Sequence, residues 1–407
     1  VENFLKFSFA EEQEESVQAE AREAVQPGLK FELEVEPPED KAGAIIKIIG
    51  IGGCGCNIVH DMHAMGVHGA SLVAVNTDMQ QLNQIEVPEK VQIGKASLKG
   101  RGSGGDHVKG EHAAEEDRVF LENMLRGTDM LFLVSGIGKG TGTGATPVLA
   151  EIAKELEILT VSVMITPFEL ELSDTKKRTV DTTVLSVKGK VNQTIVISNQ
   201  SIYETLDPNI QLKDAYHEVN KSIVNVLNGL VNMITKPGMQ NIDFEDVRSA
   251  LRVPGNAFMG LGRAGGTDRV RKALEKAIND PFTGRLELTG AKCMLVNIAG
   301  SLNMAELNDV KNLKKMTGDV ASLSFGTFEN PELGDDIEVM VVMSGIEASA
   351  AQQAAAETQD QAPEGRVQAA AKPADDEKLA FWVRKNVDSD YNDIDRPTYQ
   401  RIRQQGN

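Results

Sequence analysis

The sequence predicts an α/β protein: a Rossmann-like domain on a parallel sheet, a long central helix, and a smaller α+β domain at the C-terminal end. Three observations carry that prediction. Near-continuous apolar runs alternate with helix-like segments through the first half of the chain, as in parallel strands buried on both faces. A helical periodicity extends unbroken from Asn209 to Thr235. Two glycine-rich loops each stand between an apolar run and a helix, where free backbone N–H groups and the helix dipole hold anions.

In chain order, residues 1–40 carry twelve acidic and three basic side chains, interrupted by Pro27, Pro37 and Pro38. Residues 1–43 are therefore expected to be an acidic, solvated, disordered arm. Ala44–Ile49, Ser71–Val75, Met130–Val134, Leu159–Ile165 and Thr194–Ile197 are strand candidates, separated by helical segments such as Thr146–Leu156. Together they make residues 44–208 the doubly wound domain. Within 209–239, Leu212, Ala215, Val219, Ile223, Val226, Leu230 and Ile234 recur at helical spacing, which predicts one helix roughly 35–40 Å long. Residues 240–346 read as the α+β domain, with strands at Lys292–Ile298 and Ile337–Met343 and helices at Asp268–Ile278 and Asn303–Lys315. Residues 347–378 are rich in Ala, Gln, Glu and Asp, with Val367 their single β-branched aliphatic side chain. Such a segment cannot bury enough surface to fold alone and reads as a disordered linker. Residues 379–407 regain aromatic side chains in Trp382, Tyr391 and Tyr399, as a docking peptide on a tether would.

Composition narrows the function. A formal net charge of −18 argues against the broad basic surface that nucleic-acid binding needs. The chain has no apolar run of about 18 residues and no basic-then-apolar start, so neither membrane insertion nor secretion is expected, and a cytoplasmic location is. Cys54, Cys56 and Cys293 make no disulfide framework and no CxxC pair, and no protein-held metal is expected.

The first glycine loop is Gly50-Ile-Gly-Gly-Cys-Gly-Cys-Asn57, in which Gly50, Gly52 and Gly55 satisfy GxGxxG and Asp78 follows where a dinucleotide fold places its ribose acid. Taken alone, that pattern also allows a nicotinamide- or flavin-dependent oxidoreductase. The second loop, Gly136-Ile-Gly-Lys-Gly-Thr-Gly-Thr-Gly144, alternates glycine too regularly for an ordinary turn. It is not a Walker A loop, because Gly140 follows Lys139 where Ser or Thr is required.

GKGTGTG followed by Ala-Thr-Pro147 resembles the GGGTGTG signature of the tubulin/FtsZ family of GTPases, and the resemblance extends over nearly all of 44–346. It implies the tubulin/FtsZ fold, with GTP or GDP as ligand and Mg²⁺ as companion ion. Gly52, Gly53, Cys54, Gly55, Cys56 and Asn57 resemble the family's first phosphate loop, Ala74–Asp78 its second and Gly100–Gly105 its third. Gly138, Lys139, Gly140, Thr141, Gly142, Thr143 and Gly144 form the signature. Thr166-Pro-Phe168 with Lys176-Lys-Arg178 resembles the sugar loop, where Glu171 and Arg178 would reach the ribose. Tyr216 and Asn220 stand on the long helix where the family meets the guanine base.

Asn241-Ile-Asp-Phe-Glu-Asp246 resembles the family's NxDxxD loop, so the resemblance makes Asn241, Asp243 and Asp246 the catalytic group. In the family this loop enters the nucleotide site of the next subunit, which implies a head-to-tail filament and hydrolysis completed between subunits. Carboxylates can orient the water that attacks the γ-phosphate. The implied role is a GTP-dependent cytoskeletal scaffold of the bacterial division ring. Ile394–Arg403 resembles the family's C-terminal docking peptide, with membrane-anchoring division adaptors as partners. The alternative within the family is a specialised paralogue that binds GTP and organises another structure with altered turnover.

Plainer explanations stand beside several of these readings. Asp243 and Asp246 also fit an N-cap at an acidic helix start, and Tyr216 also fits the core. Two departures from the family pattern matter most. Lys139 replaces a glycine, adding a charge able to pair with phosphate and a β-carbon where the backbone would need positive φ. The segment from Phe168 to Lys176 is longer than the common form, which leaves Ser173 and Asp174 beside Glu171 for the ribose. The paired cysteines of the first loop also open a route to oxidation.

Overall fold

The computed structural model describes residues 43–200, 207, 209–236, 238–240, 242–254, 256–279, 290–306 and 320–346. The expected acidic arm, linker and docking peptide, most of the helix expected at Asn303–Lys315, and Asn241 lie outside the described residues.

The first sheet contains β1 (Ile46–Ile51), β2 (Ser71–Asn76), β3 (Glu89–Gln92), β4 (Met130–Gly136), β5 (Leu159–Thr166) and β6 (Gln193–Ser198). All pairings are parallel, in the order β3-β2-β1-β4-β5-β6. Helices α1 (Gly52–Ala64), α2 (Met79–Gln84), α3 (Lys95–Leu98), α4 (His107–Glu116), α5 (Arg118–Leu125), α6 (Thr141–Glu155) and α7 (Asp174–Lys188) connect these strands. Strand alternation divides the core between the two faces. Ile46, Ile48, Met130, Phe132 and Val134 point into one cluster, while Ile49, Ile51, Leu131 and Leu133 point into the other. With both faces covered, the central strands read as continuous apolar runs.

The long helix is α8 (Leu212–Thr235), 24 residues, or about 36 Å at the standard rise. Its buried Val219, Ile223, Leu227 and Leu230 share one cluster with Val163, Ile195 and Ile197 of the first sheet. The same cluster contains Met259, Leu295, Met340 and Val342 of the second sheet. Helix α8 is therefore core to both sheets, with apolar side chains on more than one face.

The second sheet runs β7-β10-β8-β9, formed by β7 (Asn256–Ala264), β8 (Cys293–Ala299), β9 (Ser322–Phe328) and β10 (Ile337–Ile346). Strand β10 is antiparallel to β7 and β8, while β8 and β9 are parallel. Helices α9 (Phe244–Leu251) and α10 (Arg269–Ile278) accompany it. The carbonyl end of α9 is tied to both sheets. Gln193 of β6 donates to the Leu251 and Val253 carbonyls at 2.9 and 2.8 Å, and Ser344 of β10 donates to the Ala250 carbonyl at 2.6 Å.

Three strands go beyond the sequence expectation: β3, β7 and β9. In β7, a Cβ at Gly260 or Gly262 would run into the Ala277 and Ala273 carbonyls of α10. Its glycines therefore mark close helix packing, a use that obscures the strand pattern in the sequence. Helix α6 begins at Thr141, five residues before the expected start. Its Gly/Thr-rich first turn has poor helix propensity, which packing against α4 overrides. No helix among the described residues is long and apolar enough to cross a membrane.

Candidate functional site

Strand order reverses direction at the β1–β4 pair, with β2 on one side of it and β5 on the other. In doubly wound sheets the ligand crevice opens beyond the carboxyl ends of the strands at that switch point. Both glycine loops leave the sheet there. A cavity of about 670 Å³ occupies the position, lined by Gly53, Cys54 and Asn57 from the first loop and Lys139, Gly140, Thr141 and Gly142 from the signature. That volume falls within the roughly 300–1,000 Å³ of small-molecule sites.

Backbone geometry explains the glycines. Gly52 has φ +69°, and an added Cβ would lie 2.8 Å from the Gly142 nitrogen. Gly138 has φ +102°, a conformation that side chains resist. Lys139 is absent from the positive-φ residues. The β-carbon is thus accommodated without the strain expected at that position. Gly52, Gly55, Cys56, Gly138, Thr143 and Gly144 do not line the cavity; they form its support. A Cβ on Gly55 would strike the Val134 carbonyl, and the Thr143 hydroxyl accepts the Gly138 N–H at 2.9 Å.

The Ala74–Asp78 and Gly100–Gly105 segments converge on the start of α6. Thr141 Oγ1 lies 2.7 Å from Thr77 Oγ1 and 3.2 Å from Ser103 Oγ. Asn76 donates to Gln81 at 2.9 Å. Asp78, the ribose acid of the dinucleotide reading, caps α2 by accepting the Gln80 and Gln81 N–H groups. Gln81, Asn199 and Lys213 also line the cavity. None belongs to a recognisable motif, and Lys213 becomes legible only once the first turn of α8 is placed at the cavity mouth.

On the far wall, Tyr216 donates to Glu171 Oε1 at 2.8 Å, and Lys139 Nζ lies 3.4 Å from Glu171 Oε2. The Phe168 and Tyr216 rings meet edge to face, 5.2 Å between centroids. Burial pushes the Tyr216 phenol up to about 12, with the Glu171 hydrogen bond and charge adding to the rise, so it remains a donor. Asn220 donates from Nδ2 to Asp61 Oδ2 of α1 at 3.3 Å. Glu171, Tyr216 and Asn220 all line the cavity, whereas Arg178 is exposed on α7 and does not. Ser173 caps α7 by accepting the Lys176 N–H, and Asp174 occupies that helix's first turn.

Burial raises the Cys54 thiol to about 11, against the pull of Lys139, and the Cys56 thiol to about 12. Both stay protonated, and the thiolate is the form that oxidises and binds metal. Oxidation is thereby disfavoured at buried Cys56, whereas Cys54 is half-buried and lines the cavity.

The acidic loop lies elsewhere. Asp243 caps α9 by accepting the Asp246 N–H at 2.7 Å. Both residues are exposed and neither lines the cavity. They follow the C-terminal end of α8, while Tyr216 and Asn220 stand in its first half. The helix rise between Asn220 and Thr235 alone is roughly 22 Å.

The cavity suits a nucleotide polyphosphate. Arg101, Lys139 and Lys213 supply positive charge against Asp78 and Glu171, and the amino end of α6 faces the crevice with backbone N–H groups able to receive phosphate oxygens.

Residues 45–207 match the family model described as "Tubulin/FtsZ family, GTPase domain". Residues 255–347 match "FtsZ family, C-terminal domain". The cell division protein FtsZ of Buchnera aphidicola subsp. Acyrthosiphon pisum is 40% identical over 316 residues, 76% of this chain and 82% of that protein. That of Coxiella burnetii is 36% identical over 377 residues, 91% of each chain. An empty FtsZ dimer from M. jannaschii shares the fold with a TM-score of 0.70 at 32% identity, covering 75% of this chain and 90% of that one.

Proposed function

Because the chain belongs to the tubulin/FtsZ family of cell-division GTPases, we propose that it polymerises head to tail and hydrolyses GTP at the contact between subunits. The observation that carries this reading is the division of the site along α8. Cavity residues stand at the amino end of the helix, and Asp243 and Asp246 follow its carboxyl end. A second copy stacked along that axis brings its acidic loop over the first copy's cavity. Such a heterologous contact does not close on itself and so propagates as a filament.

Within that contact, Gly53, Gly140, Thr141 and Gly142 receive the phosphates through backbone N–H groups. Glu171 takes the ribose, Tyr216 packs on the base, and Asn220 hydrogen-bonds it. Arg178 approaches the sugar from α7 only if its exposed side chain turns inward. Gly52, Gly55, Cys56, Gly138, Thr143 and Gly144 hold the phosphate loops in shape, while Cys54 and Asn57 complete the wall. Mg²⁺ bound together with the nucleotide would be held chiefly by the phosphates rather than by protein carboxylates and would supply charge neutralisation there. Among the described residues no group of three or more His, Cys, Asp or Glu is placed to hold an ion.

Asp246 orients the attacking water toward the γ-phosphate, while Asp243 fixes the loop through its cap and Asn241 completes the constellation. Loss of the γ-phosphate removes part of the contact and couples turnover to disassembly. The filament serves as the cytoskeletal scaffold of the division ring, cytoplasmic and held to the division site by membrane-anchoring adaptors that bind the C-terminal peptide.

The deciding experiment is specific GTPase rate in Mg²⁺ as a function of protein concentration. A threshold followed by a rise is expected. A flat, nonzero rate per molecule would mean that each subunit hydrolyses GTP alone and would overturn the shared site.

A further inference from the structure

Lys139 holds the signature-loop position where the family pattern has glycine, and it does so on unstrained backbone. Its ammonium lies 3.4 Å from Glu171 Oε2, with side-chain exposures of 75% and 30%. Glu171 Oε1 is meanwhile occupied by the Tyr216 phenol at 2.8 Å. Both oxygens of the carboxylate assigned to the ribose are therefore engaged, one of them by a cation from the phosphate side. The two residues come from different loops, after β4 and after β5, and both line the cavity. Cys54 of the first glycine loop lines the same cavity.

An ion pair this exposed contributes little by itself and exchanges readily. A polyphosphate offers more negative charge and several acceptor oxygens, which a compact ammonium on a flexible stem can follow.

We propose that the Lys139–Glu171 pair is a latch opened by polyphosphate. Lys139 turns from Glu171 to the phosphate oxygens of a guanosine di- or triphosphate, and the released Glu171 oxygen accepts from the ribose hydroxyls. The two ends of the ligand are then captured together. A nucleoside without phosphates meets a Glu171 still paired with Lys139 and offers the ammonium no new partner, so the latch favours polyphosphate. This inference rests on the nucleotide reading above and adds a specificity-determining role for Lys139.

The test is equilibrium binding of GDP and guanosine to the full chain by calorimetry. EDTA is present so that neither a metal ion nor turnover contributes. Lys139→Gln is expected to weaken GDP on the order of tenfold, leave guanosine unchanged or tighter, and flatten the salt dependence of GDP binding. Lys139→Arg is expected to recover most of the GDP affinity. Equal weakening of GDP and guanosine in Lys139→Gln would assign Lys139 to loop shape and overturn the latch. Unchanged GDP binding in that variant, beside a wild-type chain that binds GDP, would overturn the latch alone. A wild-type chain that binds neither ligand would overturn the nucleotide reading together with the latch.

Discussion

The Asp243 carboxylate accepts the Asp246 backbone N–H at 2.7 Å, so the two acids of one loop have different duties within a single subunit. Asp243 is committed to capping α9. The Asp246 carboxylate makes no hydrogen bond or ion pair among the described residues. Asp246→Ala should therefore leave the melting temperature and GTP affinity unchanged while reducing turnover by at least a hundredfold, an order set by the loss of a general base, and lengthening polymers. Asp243→Ala should in addition destabilise the fold by about 1 kcal/mol, the usual loss for an N-cap. Failure of Asp246→Ala to bind GTP would reassign its loop to a structural role.

Gly55 sits at the crossing of α1 and β4, where a Cβ would meet the Val134 carbonyl. Gly55→Ala should destabilise by about 1–3 kcal/mol, as overpacking does, and should also weaken GTP binding, since the first loop must shift. Denaturant unfolding with a parallel nucleotide titration reads both effects. Full stability in the variant would refute the close packing.

Glu338 on β10 is raised above its ordinary carboxyl value of 4.5 by burial, partly offset by Arg263 and Lys236. The folded state thus holds this proton more tightly than the unfolded chain. Its contribution to stability is fully present below the unfolded value and is lost as pH rises through the folded one. Glu338→Gln should be at least as stable as wild type at neutral pH, with its advantage shrinking toward pH 4. Melting curves across that range check the sign, and an advantage that grows on acidification would contradict it.

Removal of residues 392–407 should leave the concentration dependence of GTPase activity intact, because the cavity and acidic loop lie within 50–246. Binding to a membrane-anchoring adaptor should be abolished. A truncated chain that keeps full adaptor affinity would dismiss the docking peptide.

The parallel sheet was legible in the sequence because its central strands are apolar on both faces. Ile48 and Ile49 enter opposite clusters yet contribute to the same run. Both glycine loops at the cavity were legible because glycine alternation has few other uses. Strand β3 escaped because Glu89-Lys90-Val91-Gln92 buries a single side chain, too little to set a pattern. Gln81, Asn199 and Lys213 escaped because a cavity wall is assembled from positions distant in the chain, and polar residues at loop ends look alike until the sheet brings them together. Arg178 shows the opposite limit. The family resemblance alone assigns it to the ribose beside Glu171, and its side chain on α7 is exposed and outside the cavity lining.

The attachment of α9 has a mechanical meaning. Its first turn presents Asp246, and its last carbonyls are held by Gln193 from one sheet and Ser344 from the other. A small pivot of either sheet about α8 cannot leave this helix behind without parting one set of those bonds. Three hydrogen bonds from two sheets thus fix the carbonyl end of this helix, and the carboxylate in its first turn is tied to the angle between those sheets. If hydrolysis is completed between subunits as proposed, a change in that angle would change the heading of Asp246 toward the neighbouring cavity, and turnover would follow the shape of each subunit.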